Sequence, residues 1–244
     1  CYLNCLVNRT VVYFLFFALL LFIHSCKDNS KPTLFRLMEN TGIAFSNDLK
    51  DTKDFNVLTF RNFYNGGGVA IGDINNDGLS DVFFTSNQGS NKLFLNKGNW
   101  QFDDISEKAG FGEKKQWSTG VVFVDINHDG WLDIYVANSG NFEDSSLRAN
   151  QLFINDHKLG FTDSAAAYGL DDKGYTTHAS FFDYDLDGDL DCFLINNSPI
   201  PVNSLNYANK RAVLAQHWKD VPEVLRGGGD HLFRNDKGKI SQVT

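Results

Sequence analysis

The chain has 244 residues, a formal net charge of −8 and 22 lysines and arginines against 30 acids. The basic residues are dispersed, which leaves no electrostatic footprint for nucleic acid. Eleven of the acids fall in three short loops, so the negative charge is local and does not describe an acidic partner-binding surface.

Residues 11–23 are an uncharged apolar run following Arg9. The run is too short for a stable bilayer span and fits the core of a signal peptide. It ends at Ile23-His24-Ser25-Cys26, after which Lys27-Asp28-Asn29-Ser30-Lys31-Pro32 is polar. This pattern resembles a bacterial lipoprotein signal. It predicts a signal peptide over 1–25, lipidation at Cys26, a polar tether over 26–33 and a folded region over 34–244. Cys1 and Cys5 lie in the signal region, leaving Cys192 as the one thiol of the folded region, read as a small buried hydrophobe. No disulfide is then available.

Beyond the tether, one nine-residue pattern occurs three times. It reads Asp73-Ile74-Asn75-Asn76-Asp77-Gly78-Leu79-Ser80-Asp81, then Asp125-Ile126-Asn127-His128-Asp129-Gly130-Trp131-Leu132-Asp133, then Asp183-Tyr184-Asp185-Leu186-Asp187-Gly188-Asp189-Leu190-Asp191. Oxygen-bearing side chains stand at positions 1, 3, 5 and 9, with Gly at 6. Calcium takes six to eight oxygens in flexible geometry, and a tight loop can turn alternate side chains inward to supply them. Position 7 (Leu79, Trp131, Asp189) varies, which suits a backbone carbonyl ligand, and the Asp at position 9 closes the cage. The third loop has five carboxylates and is expected to bind most tightly. An EF-hand would need Glu at position 12, where this chain has Phe84, Val136 and Leu194. The flanks are short apolar runs, so each loop reads as the turn of a β-hairpin.

Two further elements keep step with the loops. Asn91-Lys92-Leu93-Phe94-Leu95-Asn96, Asn150-Gln151-Leu152-Phe153-Ile154-Asn155 and Asp230-His231-Leu232-Phe233-Arg234-Asn235 form one series. Phe102 to Gly110 and Phe161 to Gly169 form another, and residues 35–43 resemble it, predicting an outer strand there. Each unit thus predicts four short strands in about 50 residues, an all-β propeller blade. Three blades cannot close a ring, which takes about four to eight. With Met38 the sole methionine and the third unit cut at Thr244, the chain is expected to be about half of a seven-bladed propeller. The third unit also carries an insertion. Its loop-to-strand connection runs from 191 to 230, includes a possible helix at 210–219, and reads equally as a functional loop or a packed excursion.

These residues resemble the FG-GAP/VCBS repeat family of calcium-loop propellers found in integrin α-chain heads. The stretch Gly68 to Val82, followed by Lys92-Leu93-Phe94-Leu95-Asn96, is closer to bacterial exported members related to cartilage acidic protein, many of which carry a C-terminal ASPIC/UnbV domain. The resemblance covers about residues 34–244. It implies a seven-bladed propeller, structural calcium at up to three sites here, and an exported location. With the lipid signal, the expected place is the bacterial outer membrane or cell surface, with membrane contact through the N-terminal lipid alone.

No hydrolase, metalloprotease or phosphate-loop motif is present, and Gly66-Gly67-Gly68 lacks the Lys-Ser/Thr of a phosphate loop. That triplet aligns with Ser118-Thr119-Gly120 and Thr176-Thr177-His178 near the expected central channel, where His178 is either a ligand or base or simply an exposed side chain. The expected function is adhesion to or binding of an extracellular glycan or protein. The alternative is a propeller enzyme acting on polysaccharide, its site in other blades or an appended domain.

Overall fold

A computed structural model describes residues 34–112, 116–140, 144–197 and 229–243. The expected signal peptide, Cys26, the tether to residue 33 and the insertion's core at 198–228 lie outside the described residues. The chain divides after Glu39, and the fold below is that of the unit from Asn40 onward.

Among the described residues, twelve strands form three four-stranded antiparallel meanders. The first blade is β1 (Val69–Gly72), β2 (Asp81–Phe84), β3 (Lys92–Asn96) and β4 (Phe102–Asp104). The second is β5 (Trp117–Val124), β6 (Asp133–Ser139), β7 (Gln151–Asn155) and β8 (Phe161–Asp163). The third is β9 (Thr176–Phe182), β10 (Asp191–Asn196), β11 (His231–Asp236) and β12 (Lys239–Gln242). A single-turn helix, α1 (Ala165–Tyr168), follows β8. These are blades of a β-propeller, as the repeat predicts. One expectation differs. Residues 35–43 form no strand; Thr41 instead accepts a bond from the Phe102 N–H at 2.8 Å, and Asn40 one from the Gln101 side chain at 3.1 Å. The Phe-to-Gly resemblance, one residue shorter here, lacks the ladder partner that makes strands at Phe102 and Phe161.

The burial of each strand follows its neighbours. Every residue of β6 is buried, because the second blade has a sheet on each face. Ile134 and Val136 point to the first blade and meet Phe83, Leu93 and Val121, while Tyr135 points to the third and meets Leu152, Ala179 and Leu194. Successive side chains of a strand leave on opposite faces, so one apolar run serves two interfaces. β9 buries Ala179 but exposes Ser180 and Phe182, since no described sheet covers its other face. On the first blade's outer face, Val82, Phe94 and Phe102 are covered by Ile43 and Phe45.

The segment from Leu49 to Phe63 packs Phe55, Phe60 and Phe63 around Trp117 and Tyr175. Phe55 and Phe60 meet the Trp117 ring edge-on, with centroids 5.1 and 5.8 Å away. Trp117 opens β5 and Tyr175 immediately precedes β9, so this aromatic plug sits at the start of the inner strands, away from the Asp-rich turns.

The third blade is stapled to the preceding loop by His231, whose Nδ1 lies 2.6 Å from Asp172 Oδ2, both side chains nearly buried. The hydrogen bond that His231 donates to Asp172 raises the His231 pKa above its ordinary value. Burial works against ionising Asp172, but the bonds and charge it receives outweigh this and hold its carboxyl below the usual range. A raised histidine pKa gives stability that is full below the unfolded value and lost as pH rises through the folded one. His231→Ala is therefore expected to cost about 2 kcal/mol near pH 6 and less as pH rises through the folded value, read by urea melts across that range.

Candidate metal centres

The three Asp-rich patterns are the β1–β2, β5–β6 and β9–β10 turns, all on one face. The same bonds build each. In the first loop the Asp73 carboxylate accepts from the Asp77 N–H at 3.0 Å and the Gly78 N–H at 2.7 Å. Asp125 does the same for Asp129 and Gly130, and Asp183 for Asp187 and Gly188. Asp77, Asp129 and Asp187 each accept from the N–H of position 7, that is Leu79, Trp131 and Asp189, at 2.9 Å. Gly78, Gly130 and Gly188 have φ of 86°, 83° and 98°, which only glycine adopts cheaply. Position 4 is also left-handed, with Asn76, His128 and Leu186 at 57°, 56° and 66°. Asn tolerates this; Leu186 is strained.

The loops differ in how far their side chains converge. In the third, carboxylate oxygens of Asp183, Asp185 and Asp187 lie within 4.8 Å of one another, a donor set that fits a hard divalent cation. Desolvation, with the charges of Asp187 and Asp191, pushes the Asp185 carboxyl up, a repulsion that a cation relieves. In the first two loops position 3 is Asn75 or Asn127, whose amide donates to Asp77 or Asp129 at 3.0 or 2.8 Å. The Asp189 carboxylate is not in the third loop's cluster. It accepts from the Lys237 N–H at 2.7 Å, and His128 Nδ1 approaches it at 3.9 Å.

The position 9 carboxylates Asp81, Asp133 and Asp191 have no solvent exposure. One oxygen of each accepts from the N–H of position 2 (Ile74, Ile126, Tyr184), at 3.0, 3.3 and 2.9 Å. The other accepts from Asn96, Asn155 or Asn235 at 2.8 Å. Burial pushes the Asp133 carboxyl up to about 6 and raises Asp81 in the same direction, partly offset by those N–H groups. These side chains brace the loop to the third strand.

This explains why the Leu-Phe element travels with the loop. Its last residue holds the position 9 Asp through the backbone, and its side-chain amide donates to the carbonyl of position 8, Ser80, Leu132 or Leu190. Its first residue (Asn91, Asn150, Asp230) accepts from the N–H of Ser86, Asn138 or Asn196. The sequence showed the spacing but not this division of labour. It also missed His157, whose Nε2 lies 3.0 Å from Asp129 Oδ2 while its ring stacks on Trp131 at 4.8 Å. Burial works against ionising Asp129, but His157, the Trp131 N–H and Asn127 outweigh it and hold its carboxyl below the usual range.

Neighbouring loops touch. Asn76 donates to Gly130 O at 3.0 Å, and Asn155 reaches from the second blade to Ile74 O at 2.9 Å.

Comparison with known proteins agrees with this geometry. The chain is 40% identical to cartilage acidic protein 1 of Mus musculus over 180 residues, covering 73% of this chain and 26% of that protein. The Homo sapiens protein is 40% identical over 183 residues, and the Xenopus tropicalis protein 34% over 137. The chain spans about a quarter of the length of these mammalian relatives, 26%. A model of the FG-GAP-like repeat matches residues 73–136 and 129–194, which together make half of the chain and contain all three loops. With three four-stranded blades each turning through an Asp-rich loop, the chain belongs to the FG-GAP-like repeat family.

Proposed function

We propose that this chain is a calcium-stabilised propeller module that binds an extracellular glycan or protein, exported and anchored to the bacterial outer membrane or cell surface by lipid at Cys26. The observation that carries the calcium reading is the third loop, where three carboxylates converge on a loop scaffold that the chain repeats. Calcium bound there holds the hairpin turn and neutralises the cluster, so binding is linked to folding.

The binding face is the one opposite the metal loops. There the connections between second and third strands run from 84 to 92, from 139 to 151 and from 196 to 231, while the metal loops keep one length. Variable loops on a fixed scaffold are where binding specificity resides.

Thermal melts of the full chain test the metal role. At a calcium level tenfold above a millimolar-class Kd, each occupied site adds about 1.4 kcal/mol. Chelation is expected to lower the Tm by several degrees, and magnesium to restore little of it. An unchanged Tm after chelation would refute structural calcium.

A further inference from the structure

On the face opposite the metal loops, the inner strands β5 and β9 and the segment leading into β1 meet at one cavity of about 310 Å³. Its lining includes Asn62, Asn65, Thr119, Thr177, His178 and Asn197, with Gly66 to Gly68 and Gly120 between them. That volume lies at the small end of ligand sites and suits one pyranose ring.

The repeat breaks here. Equivalent positions read Gly-Gly-Gly, Ser-Thr-Gly and Thr-Thr-His in the three blades, although the strands that follow are alike. Gly120 lets the second and third blades approach: an added Cβ would stand 2.6 Å from Thr177 O and 2.7 Å from His178 Nδ1. His178 is exposed and occupies this edge of the cavity.

The chemistry of the lining is specific. Among its described residues it holds no carboxylate, lysine or arginine, in a chain with 30 acids and 22 bases. Thr119 Oγ1 donates to Thr176 O at 2.7 Å, and Thr177 Oγ1 to Ile195 O at 3.1 Å. With their protons committed, both hydroxyls are left as acceptors. The asparagine amides each bring a donor and an acceptor. Asn62 Nδ2 is buried and has no hydrogen-bond partner among the described residues, a group whose desolvation is uncompensated until an acceptor arrives. Interleaved neutral donors and acceptors match hydroxyl groups, which each give and take a bond. A carboxylate or phosphate would meet threonine acceptors with no lysine or arginine to neutralise it.

We infer that this axial cavity binds a single neutral sugar residue of a glycan, with Asn62 donating to a ligand oxygen. The inference rests on reading the chain as a binding module and names the site and ligand class.

The test is saturation-transfer NMR on the full chain in calcium, with glucose, galactose and N-acetylglucosamine as probes and galacturonate as the charged comparison. At least one neutral sugar is expected to receive saturation and to exceed galacturonate. Asn62→Ala and the near-isosteric Asn62→Asp are each expected to weaken that sugar by about tenfold, the loss of one hydrogen bond. Three results overturn the inference: no neutral sugar bound by folded protein, galacturonate preferred, or binding indifferent to both variants. Calcium-dependent melting of the same samples keeps the two readings apart. A normal calcium response without sugar binding removes only the cavity assignment. Sugar binding without a calcium response removes only the metal role.

Discussion

Asp133→Ala is expected to destabilise the folded chain by about 4 kcal/mol, mainly by leaving two buried N–H groups without acceptors. Asp133 is fully buried, with one oxygen bonded to Ile126 N–H at 3.3 Å and the other to Asn155 N–H at 2.8 Å. Alanine serves neither, and the site is closed to bulk solvent. Asp133→Asn is expected to cost less than alanine, because one oxygen remains. Urea denaturation of the three proteins in calcium checks the order. A variant as stable as the parent would show that the brace is dispensable.

The same residue sets a pH dependence. Its carboxyl titrates at about 6 in the folded protein, because burial disfavours the charged form. The folded value lies above the unfolded one, so without metal this group's stabilising contribution is full below about pH 4 and is lost as pH rises through about 6. Calcium bound as proposed would require the ionised loop and oppose that loss. The Tm increment given by calcium is therefore expected to be larger near pH 7.5 than near pH 5. Equal increments would mean that Asp133 ionisation is not linked to the metal.

Much of the fold was legible in the sequence because the repeats carry independent signals at fixed spacing. The Asp-rich turns, the apolar runs beside them and the Leu-Phe element each place a strand, and agreement among three copies removes the ambiguity of any one. The aromatic plug was not legible. Phe55, Phe60 and Phe63 have no strand or helix period, and their partners Trp117 and Tyr175 lie more than 50 residues away. The expected strand over 35–43 failed for the converse reason: a local pattern matched, but a strand is made by its ladder. Within the loops, residue types gave the scaffold but not the aim of each side chain. Asp189 reads as a fifth carboxylate of the third loop, yet Lys237 N–H holds it outside the cluster. The cavity opposite was visible only as an alignment of Gly68, Gly120 and His178, since the strands that unite them are far apart in sequence.

The link between loops gives the second large effect. Asn155 is the final residue of its Leu-Phe element, as Asn96 and Asn235 are of theirs, but its amide does more. It donates to Leu132 O at 3.0 Å within its own blade and to Ile74 O at 2.9 Å in the preceding one, and its oxygen accepts from His157 N–H at 3.0 Å. Asn155 is buried, so Asn155→Ala strands two carbonyls and one N–H and is expected to cost about 3 kcal/mol. Asn96 keeps its bonds within one blade, to Ser80 O and Gly98 N–H, and is part-exposed. Asn96→Ala is accordingly expected to cost about 1 kcal/mol. The contrast extends to metal binding. Ile74 is position 2 of the first loop and Leu132 position 8 of the second, so one side chain positions the backbone of two loops. Calorimetric calcium titration of Asn155→Ala is expected to show two weakened sites and an unchanged third, whereas Asn96→Ala weakens one. Equal effects from the two variants would show that the blades hold their metal loops independently.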